Sequence, residues 1–224
     1  MSLPSSSKVP KAIVFDLDGT LVDSGDQVMA AFRYALAPFE IEVTVELLES
    51  VRSRNQNNLF EGILKNEDGL IAVRRLSEHS NKSAAEVTLY PGLSSILNLL
   101  KDRGVPVAIW TGRDALSAAQ IISSLDLNTH FGRLVAGCDV AKNKPHPEGL
   151  LKLVNHFKCG PDDVLMIGDH EHDIVGAKQA GCRSALAFWN GRKDLSGEKH
   201  GADLVFSSTD DLLEYFRNVF LIKE

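Results

Sequence analysis

The chain of 224 residues has little of what marks a secreted, membrane or nucleic-acid-binding protein. Its three cysteines, Cys138, Cys159 and Cys182, are odd in number and scattered. That argues against a disulfide framework and fits a reducing cytoplasm. No apolar run approaches the roughly 20 residues that span a bilayer. The stretch Met1-Ser2-Leu3-Pro4-Ser5-Ser6-Ser7-Lys8 has no apolar signal core, which argues against secretion, and its serines read as a frayed terminus. There is no basic block: 24 Lys and Arg stand against 30 Asp and Glu, a formal charge of −6, which speaks against nucleic acid as partner. Internal repeats and low-complexity tracts are also missing. What is present is a soluble globular composition, 44% hydrophobic and 24% charged, too apolar for a disordered chain. The length suits one large domain, or a core domain carrying a smaller insert.

Residues 11–15 are apolar and β-branched and stop at Asp16-Leu17-Asp18-Gly19-Thr20, a buried strand ending in a polar turn. A strand apolar on both faces belongs to a parallel sheet covered by helices. The next 65 or so residues read as helical. Val28, Ala31, Phe32, Ala35 and Leu36 mark a helix over 26–37 that Pro38 ends. Thr44 caps a second helix bearing Val45, Leu47, Leu48 and Val51. Leu59, Phe60, Ile63 and Leu64 predict a third. Leu70, Ile71, Val73 and Leu76 predict a fourth, weakened at its start by Gly69. No strand is expected among them.

After Pro91-Gly92, strands and helices alternate. Helices are expected at 93–101, 115–125, 148–157, 174–180 and 209–220. Strands are expected at 105–110, 134–136, 164–167, 184–189 and 204–206. The pattern predicts an α/β fold: a three-layer Rossmann-like core with a mainly parallel sheet, interrupted after its first strand by a helical insert.

In such a sheet ligands bind beyond the carboxyl ends of the strands, so the polar residues that follow each strand carry the information. The first strand delivers Asp16 and Asp18, the second Thr111, Gly112 and Arg113. The loop after the third supplies Lys142, Lys144 and His146, and the fourth strand Asp169, His170, His172 and Asp173. Any one of these aspartates alone would read as a turn residue or helix cap. Converging carboxylates repel one another and call for a cation. Oxygen-only ligands select Mg²⁺, which is commonly shared with substrate phosphate.

Asp16-Leu17-Asp18-Gly19-Thr20-Leu21-Val22-Asp23-Ser24 resembles the first motif of the haloacid dehalogenase-like hydrolase superfamily. Trp110-Thr111-Gly112 resembles the second motif, Lys144-Pro145-His146-Pro147-Glu148 the third and Gly168-Asp169-His170-Glu171-His172-Asp173 the fourth. The resemblance runs from about residue 11 to 216 and is nearest to phosphoglycolate phosphatase-like members. It implies a discontinuous core, residues 9–23 and 90–224, and a type-one helical cap at 24–89.

The resemblance further implies a Mg²⁺-dependent phosphatase that acts on a small phosphorylated metabolite through an aspartyl-phosphate. Asp16 would be the nucleophile and Asp18 the general acid and base, protonated in part because neighbouring carboxylates favour it. Asp16, Asp169 and the main-chain carbonyl of Asp18 would hold Mg²⁺, with Asp173 orienting its waters or Lys144. Lys144, rather than Lys142, Thr111 and the Gly112 amide would hold the transferring phosphoryl oxygens. In the cap, Arg52, Arg54, Asn55 and Asn57 form a polar, partly basic stretch suited to an acidic or hydroxylated leaving group. The reading of that stretch as a solvated connection weighs equally. Cap closure would exclude water. A monomer or homodimer is expected.

Other readings compete. A phosphosugar mutase of the β-phosphoglucomutase type would share the aspartyl-phosphate, but Thr20 leans away from it, since similar mutases more often carry Val there. A dehalogenase or phosphonate hydrolase would lack a carboxylate at Asp18. A catalytically idle binding protein would not need Asp16, Asp18, Lys144, Asp169 and Asp173 together. His146, His170 and His172 read as hydrogen-bonding or incidental rather than as a second metal site, and Arg113 either touches substrate or pairs with Asp114. Asn81-Lys82-Ser83 matches a glycosylation acceptor that carries no meaning in the cytosol.

Overall fold

The computed structural model describes residues 8–52, 54, 58–189 and 201–221. Asn55, Asn57 and the serine stub lie outside them. The chain opens with β1 (Ala12–Phe15), followed by β2 (Val22–Asp23), α1 (Gly25–Leu36), α2 (Val45–Val51), α3 (Asn66–Lys82) and β3 (Thr88–Leu89). Then come α4 (Leu93–Asp102), β4 (Val107–Trp110), α5 (Ala115–Ser124), β5 (Arg133–Val135) and α6 (Glu148–Phe157). The last elements are β6 (Val164–Gly168), α7 (Glu171–Ala180), β7 (Arg183–Ala187), β8 (Leu204–Phe206) and α8 (Thr209–Leu221). Among the described residues no helix is long and apolar enough to cross a membrane.

The main sheet has six strands in the order β5-β4-β1-β6-β7-β8, every pair parallel. This is the Rossmann-like α/β core that alternation predicts. Side chains of β1 alternate between the two faces. Ile13 and Phe15 pack with Leu93, Ile96, Leu97 and Leu100 of α4 and with Leu212, Phe216 and Val219 of α8. Ala12 and Val14 pack on the other face with Leu150 and Leu153 of α6 and Ala177 of α7. Both faces of β1 are therefore dry, as its unbroken apolar run requires. From β1 the chain continues into β4 on one side and later returns as β6 on the other, so the carboxyl end of β1 is the topological switch point.

Helices α1, α2 and α3 build a separate apolar cluster around Leu36, Val51, Phe60 and Ala72. The expected helix at 59–64 is not there. Gly62 adopts φ +77° and the amides of Ile63 and Leu64 both turn back to the Phe60 carbonyl, so the segment closes as a turn. Its apolar residues still pack into the cluster, so burial was read correctly and the element was not. The fourth predicted helix begins earlier, with Gly69 inside α3, and its buried face carries Ala72, with Val73 and Leu76 half-buried. Leu70 and Ile71, expected in the core, are exposed. Two strands also enter where none was expected: β2 and β3 pair antiparallel, Val22 with Leu89 and Asp23 with Thr88, at the entrance and exit of the helical segment. Two-residue strands are too short to show a period.

Candidate active site

Four strand ends build the site. The amide of Asp16 donates to the Ile167 carbonyl at 2.8 Å, so the turn after β1 is tied to β6 as the strands end. Gly19 sits in that turn at φ +79°, and a Cβ there would stand 2.5 Å from Asp169 Oδ2. Only glycine lets the turn approach the β6 loop this closely. On the other side of β1, the Thr111 amide donates to the Val135 carbonyl at 3.0 Å.

Lys144 is the centre of charge. Its Nζ donates to Asp16 Oδ1 and to Asp173 Oδ1, each at 2.7 Å, and all three side chains are nearly dry. It also lies 4.7 Å from the centre of the Trp110 ring. Burial alone would lower the Lys144 pKa, but Asp16 and Asp173 outweigh it and raise it, so the ammonium stays charged. Asp173 does double duty. Its Oδ2 accepts from the His170 amide at 3.2 Å, capping α7, which is why the helix starts where the site needs a carboxylate.

Asp16, Asp169 and Asp173 are buried and bring one oxygen each within 4.8 Å of one another. Burial, aided by the charges of Asp173 and Asp169 and opposed by Lys144, pushes the Asp16 carboxyl up to about 8. One ammonium does not neutralise three carboxylates, so this donor set fits a hard divalent cation such as Mg²⁺.

Asp18 faces away from that cluster. Ser24 Oγ donates to its Oδ1 at 2.6 Å and Arg113 Nε to its Oδ2 at 3.0 Å, while a second Arg113 nitrogen reaches Oδ1. Burial would raise the Asp18 pKa, but Arg113 and Ser24 outweigh it and hold it below the usual range. This corrects the expectation that neighbouring carboxylates keep Asp18 partly protonated: its neighbours are a guanidinium and a hydroxyl. The Asp18 side chain is likewise outside the three-carboxylate cluster. Arg113 takes this partner instead of Asp114, whose carboxylate caps α5 by accepting from the Ser117 amide at 2.9 Å. Arg113 also donates to Gln27 Oε1 at 3.0 Å, and Gln27 Nε2 donates to Ser83 Oγ at 3.0 Å. That chain links the acidic turn to α1 and the end of α3.

A cavity of about 420 Å³ lies between the strand ends and α1, α2 and α3. Asp16, Asp18, Thr111, Gly112, Lys144, Asp169 and Asp173 all reach it, as do Arg52 and Arg54. Lys142 and His146 do not, and both are exposed. His170 Nε2 pairs with Glu49 Oε2 at 3.1 Å, and its Nδ1 accepts from the His172 amide at 3.2 Å. His170 is thus a helix cap and a contact to α2. Sequence reading missed Glu49, Gln27 and Asn143, whose Nδ2 donates to the Arg54 carbonyl at 3.0 Å. An acid or amide on an amphipathic helix gives no signal of its partner 86 or 121 residues away.

A family model described as haloacid dehalogenase-like hydrolase matches residues 13–187. The chain is 27% identical over 229 residues to a phosphoglycolate phosphatase of Shigella boydii, covering 91% of each chain. Among solved structures, a hydrolase from Pseudomonas syringae superposes with a TM-score of 0.80 at 22% identity, over 92% of this chain and 98% of that one. A haloacid dehalogenase-like family hydrolase from Streptococcus pneumoniae gives a TM-score of 0.77 at 22% identity, over 93% and 98%.

Proposed function

Because this chain belongs to the haloacid dehalogenase-like hydrolases, we propose that it is a Mg²⁺-dependent phosphatase that cleaves a small phosphate monoester through an aspartyl-phosphate. The observation that carries the reading is Lys144 bridging Asp16 and Asp173 beside Asp169 at the switch point of the sheet. The curated relative named as a phosphoglycolate phosphatase supports it.

In this reading Asp16 attacks phosphorus, the P–O bond to the leaving group breaks, and Asp18 gives the departing oxygen its proton. Asp18 then takes a proton from the water that attacks the aspartyl-phosphate, releasing phosphate and restoring Asp16. Arg113 and Ser24 hold the resting Asp18 ionised, which serves the second step. The first step needs it protonated, and a dianionic ester arriving beside it shifts it that way. Lys144, the Thr111 hydroxyl and the Gly112 amide hold phosphoryl oxygens, where preorganised donors act most strongly. The carboxylates of Asp16 and Asp169 and the main-chain carbonyl of Asp18 would hold Mg²⁺, with Asp173 supporting its waters. The metal supplies charge neutralisation at the phosphoryl group. Residues 24–89, with their own apolar cluster, act as the cap over the core of 9–23 and 90–224. The free thiols of Cys138, Cys159 and Cys182 support a reducing compartment such as the cytoplasm.

The test is phosphate release from a panel of monoesters with Mg²⁺. Activity is expected to stop with EDTA and in Asp16→Asn, and labelled phosphate is expected to be trapped on the wild type in a hydroxylamine-sensitive form. An isomeric sugar phosphate in place of free phosphate would instead indicate a mutase. Undiminished turnover in Asp16→Asn would overturn the nucleophile.

A further inference from the structure

The cavity has two chemically different halves. The strand-end half carries the phosphoryl machinery. The half under the helical segment is walled by Val28, Phe32, Leu48, Val51, Leu59 and Leu76, with the neutral Ser77 and Ser80 between them. A leaving group projecting away from Lys144 enters this half.

Four cationic side chains reach the cavity among the described residues, and each already has partners within the protein. Lys144 is held between Asp16 and Asp173. Arg113 is held by Asp18 and Gln27. Arg52 is fork-paired to Glu49, Nε to Oε2 at 3.0 Å and Nη2 to Oε1 at 2.9 Å. Arg54 Nη1 donates to the carbonyls of Leu59 and Glu61 at 3.3 and 2.5 Å. Asp23 and Glu49 add negative charge to the same wall. A carboxylate on the leaving group would meet Lys144, Arg113 and Arg52 with their charges already matched by carboxylates, and Arg54 turned to main-chain carbonyls, so it gains less here than from an unpaired cation. The volume also lies in the range of pockets that enclose ligands far larger than a two-carbon acid.

We infer that the leaving group is an uncharged, predominantly apolar alcohol of roughly six or more heavy atoms, not a short hydroxy acid. This deepens the phosphatase reading and rests on it. It departs from the substrate in the relative's name, and of the acidic or hydroxylated leaving groups that the Arg52–Arg54 stretch suggests in sequence it sets the acidic one aside.

A ladder of n-alkyl phosphates from ethyl to hexyl tests it, because lengthening the chain barely changes the chemistry at phosphorus. We expect kcat/KM to rise about fourfold per methylene, the transfer free energy of one buried CH₂. Hydrolysis of 2-phosphoglycolate should fall below that of ethyl phosphate. A flat ladder, or 2-phosphoglycolate preferred over hexyl phosphate, would overturn the inference and leave the phosphatase standing. No phosphate from any ester would remove both. Glu49→Gln supplies the converse. It releases Arg52, and it should raise the 2-phosphoglycolate to hexyl phosphate ratio about tenfold, the scale of one recovered charge-assisted hydrogen bond. An unchanged ratio would show that pairing of Arg52 is not what excludes acids.

Discussion

Arg113 grips both carboxylate oxygens of Asp18, across 95 residues of sequence, from the loop that follows the neighbouring strand. The pair ties the proposed general acid to a segment remote in sequence, whereas Ser24, its other partner, lies six residues away. Replacing Arg113 by Gln removes the charge that stabilises the Asp18 carboxylate, so its pKa rises. The limb of the pH–rate profile that follows loss of this proton is therefore expected to move to higher pH. With orientation also lost, kcat should fall by about tenfold or more, within the range general acid–base catalysis contributes. Arg113→Lys should restore the orientation poorly, because one ammonium nitrogen cannot reproduce the two-nitrogen fork that meets both Asp18 oxygens and Gln27. Profiles of kcat against pH for both variants decide it. A shift to lower pH would contradict the pairing.

The metal-free protein should lose stability as pH rises. Asp16 has a folded pKa of about 8 against an ordinary 3.8, so between those values the folded state binds more protons than the unfolded one. Its penalty is absent below pH 4 and fully developed above pH 8. Thermal unfolding in EDTA should show the midpoint falling across that window. Added Mg²⁺ should stabilise more at pH 8 than at pH 5, since its ligands must be deprotonated. A metal-induced shift that is equal at both pH values would argue against the three-carboxylate site.

Trp110 is the plate on which Lys144 rests, and two helices close on it. A Cβ at Gly176 would stand 2.6 Å from Trp110 Cη2 and 3.1 Å from the Pro145 carbonyl oxygen, and one at Gly149 would collide with the indole Nε1. Gly176→Ala should cost about 1–3 kcal/mol by overpacking, despite the better helix propensity of Ala. Denaturant titration measures it. A neutral result would show that the indole can slide, in which case Lys144 would not depend on its position.

Glu49→Gln should leave the fold intact. Glu49 is 41% exposed, and His170 and Arg52 hold its carboxyl down at about 2. Most of that preference is screened by solvent, and exposed pairs contribute about 0–1 kcal/mol. A loss above about 2 kcal/mol in urea unfolding would mean that the Glu49–His170 contact fastens α2 to the core.

The core was legible because its signals are local. The strand at 12–15, the cap at Thr44, and the carboxylates one residue past β1 and β6 all lie where periodicity and punctuation place them. The sequence led to the wrong element at 59–64, where apolar spacing suits a helix and Gly62 at positive φ makes a turn. It misjudged Leu70 and Ile71, because α3 packs through a narrower stripe than its apolar residues define. The partners of Asp18 and His170 were out of reach, since Arg113 and Glu49 lie 95 and 121 residues away in sequence. The basic stretch at 52–54 looked available for substrate because residue types alone do not show that Glu49, one turn earlier, and the Leu59 and Glu61 carbonyls take up its guanidinium groups.

Asp16 and the lysine that neutralises it are separated by 128 residues, and the second carboxylate on that lysine comes 29 residues later still. During synthesis or refolding the acidic turn exists long before its counter-charge arrives. Until β6 inserts beside β1, the early aspartates are ordinary solvated acids. Activity is therefore a readout of a long-range pairing, and its recovery should lag the return of helical signal. Fragments ending before residue 173 should fold in part and hydrolyse nothing.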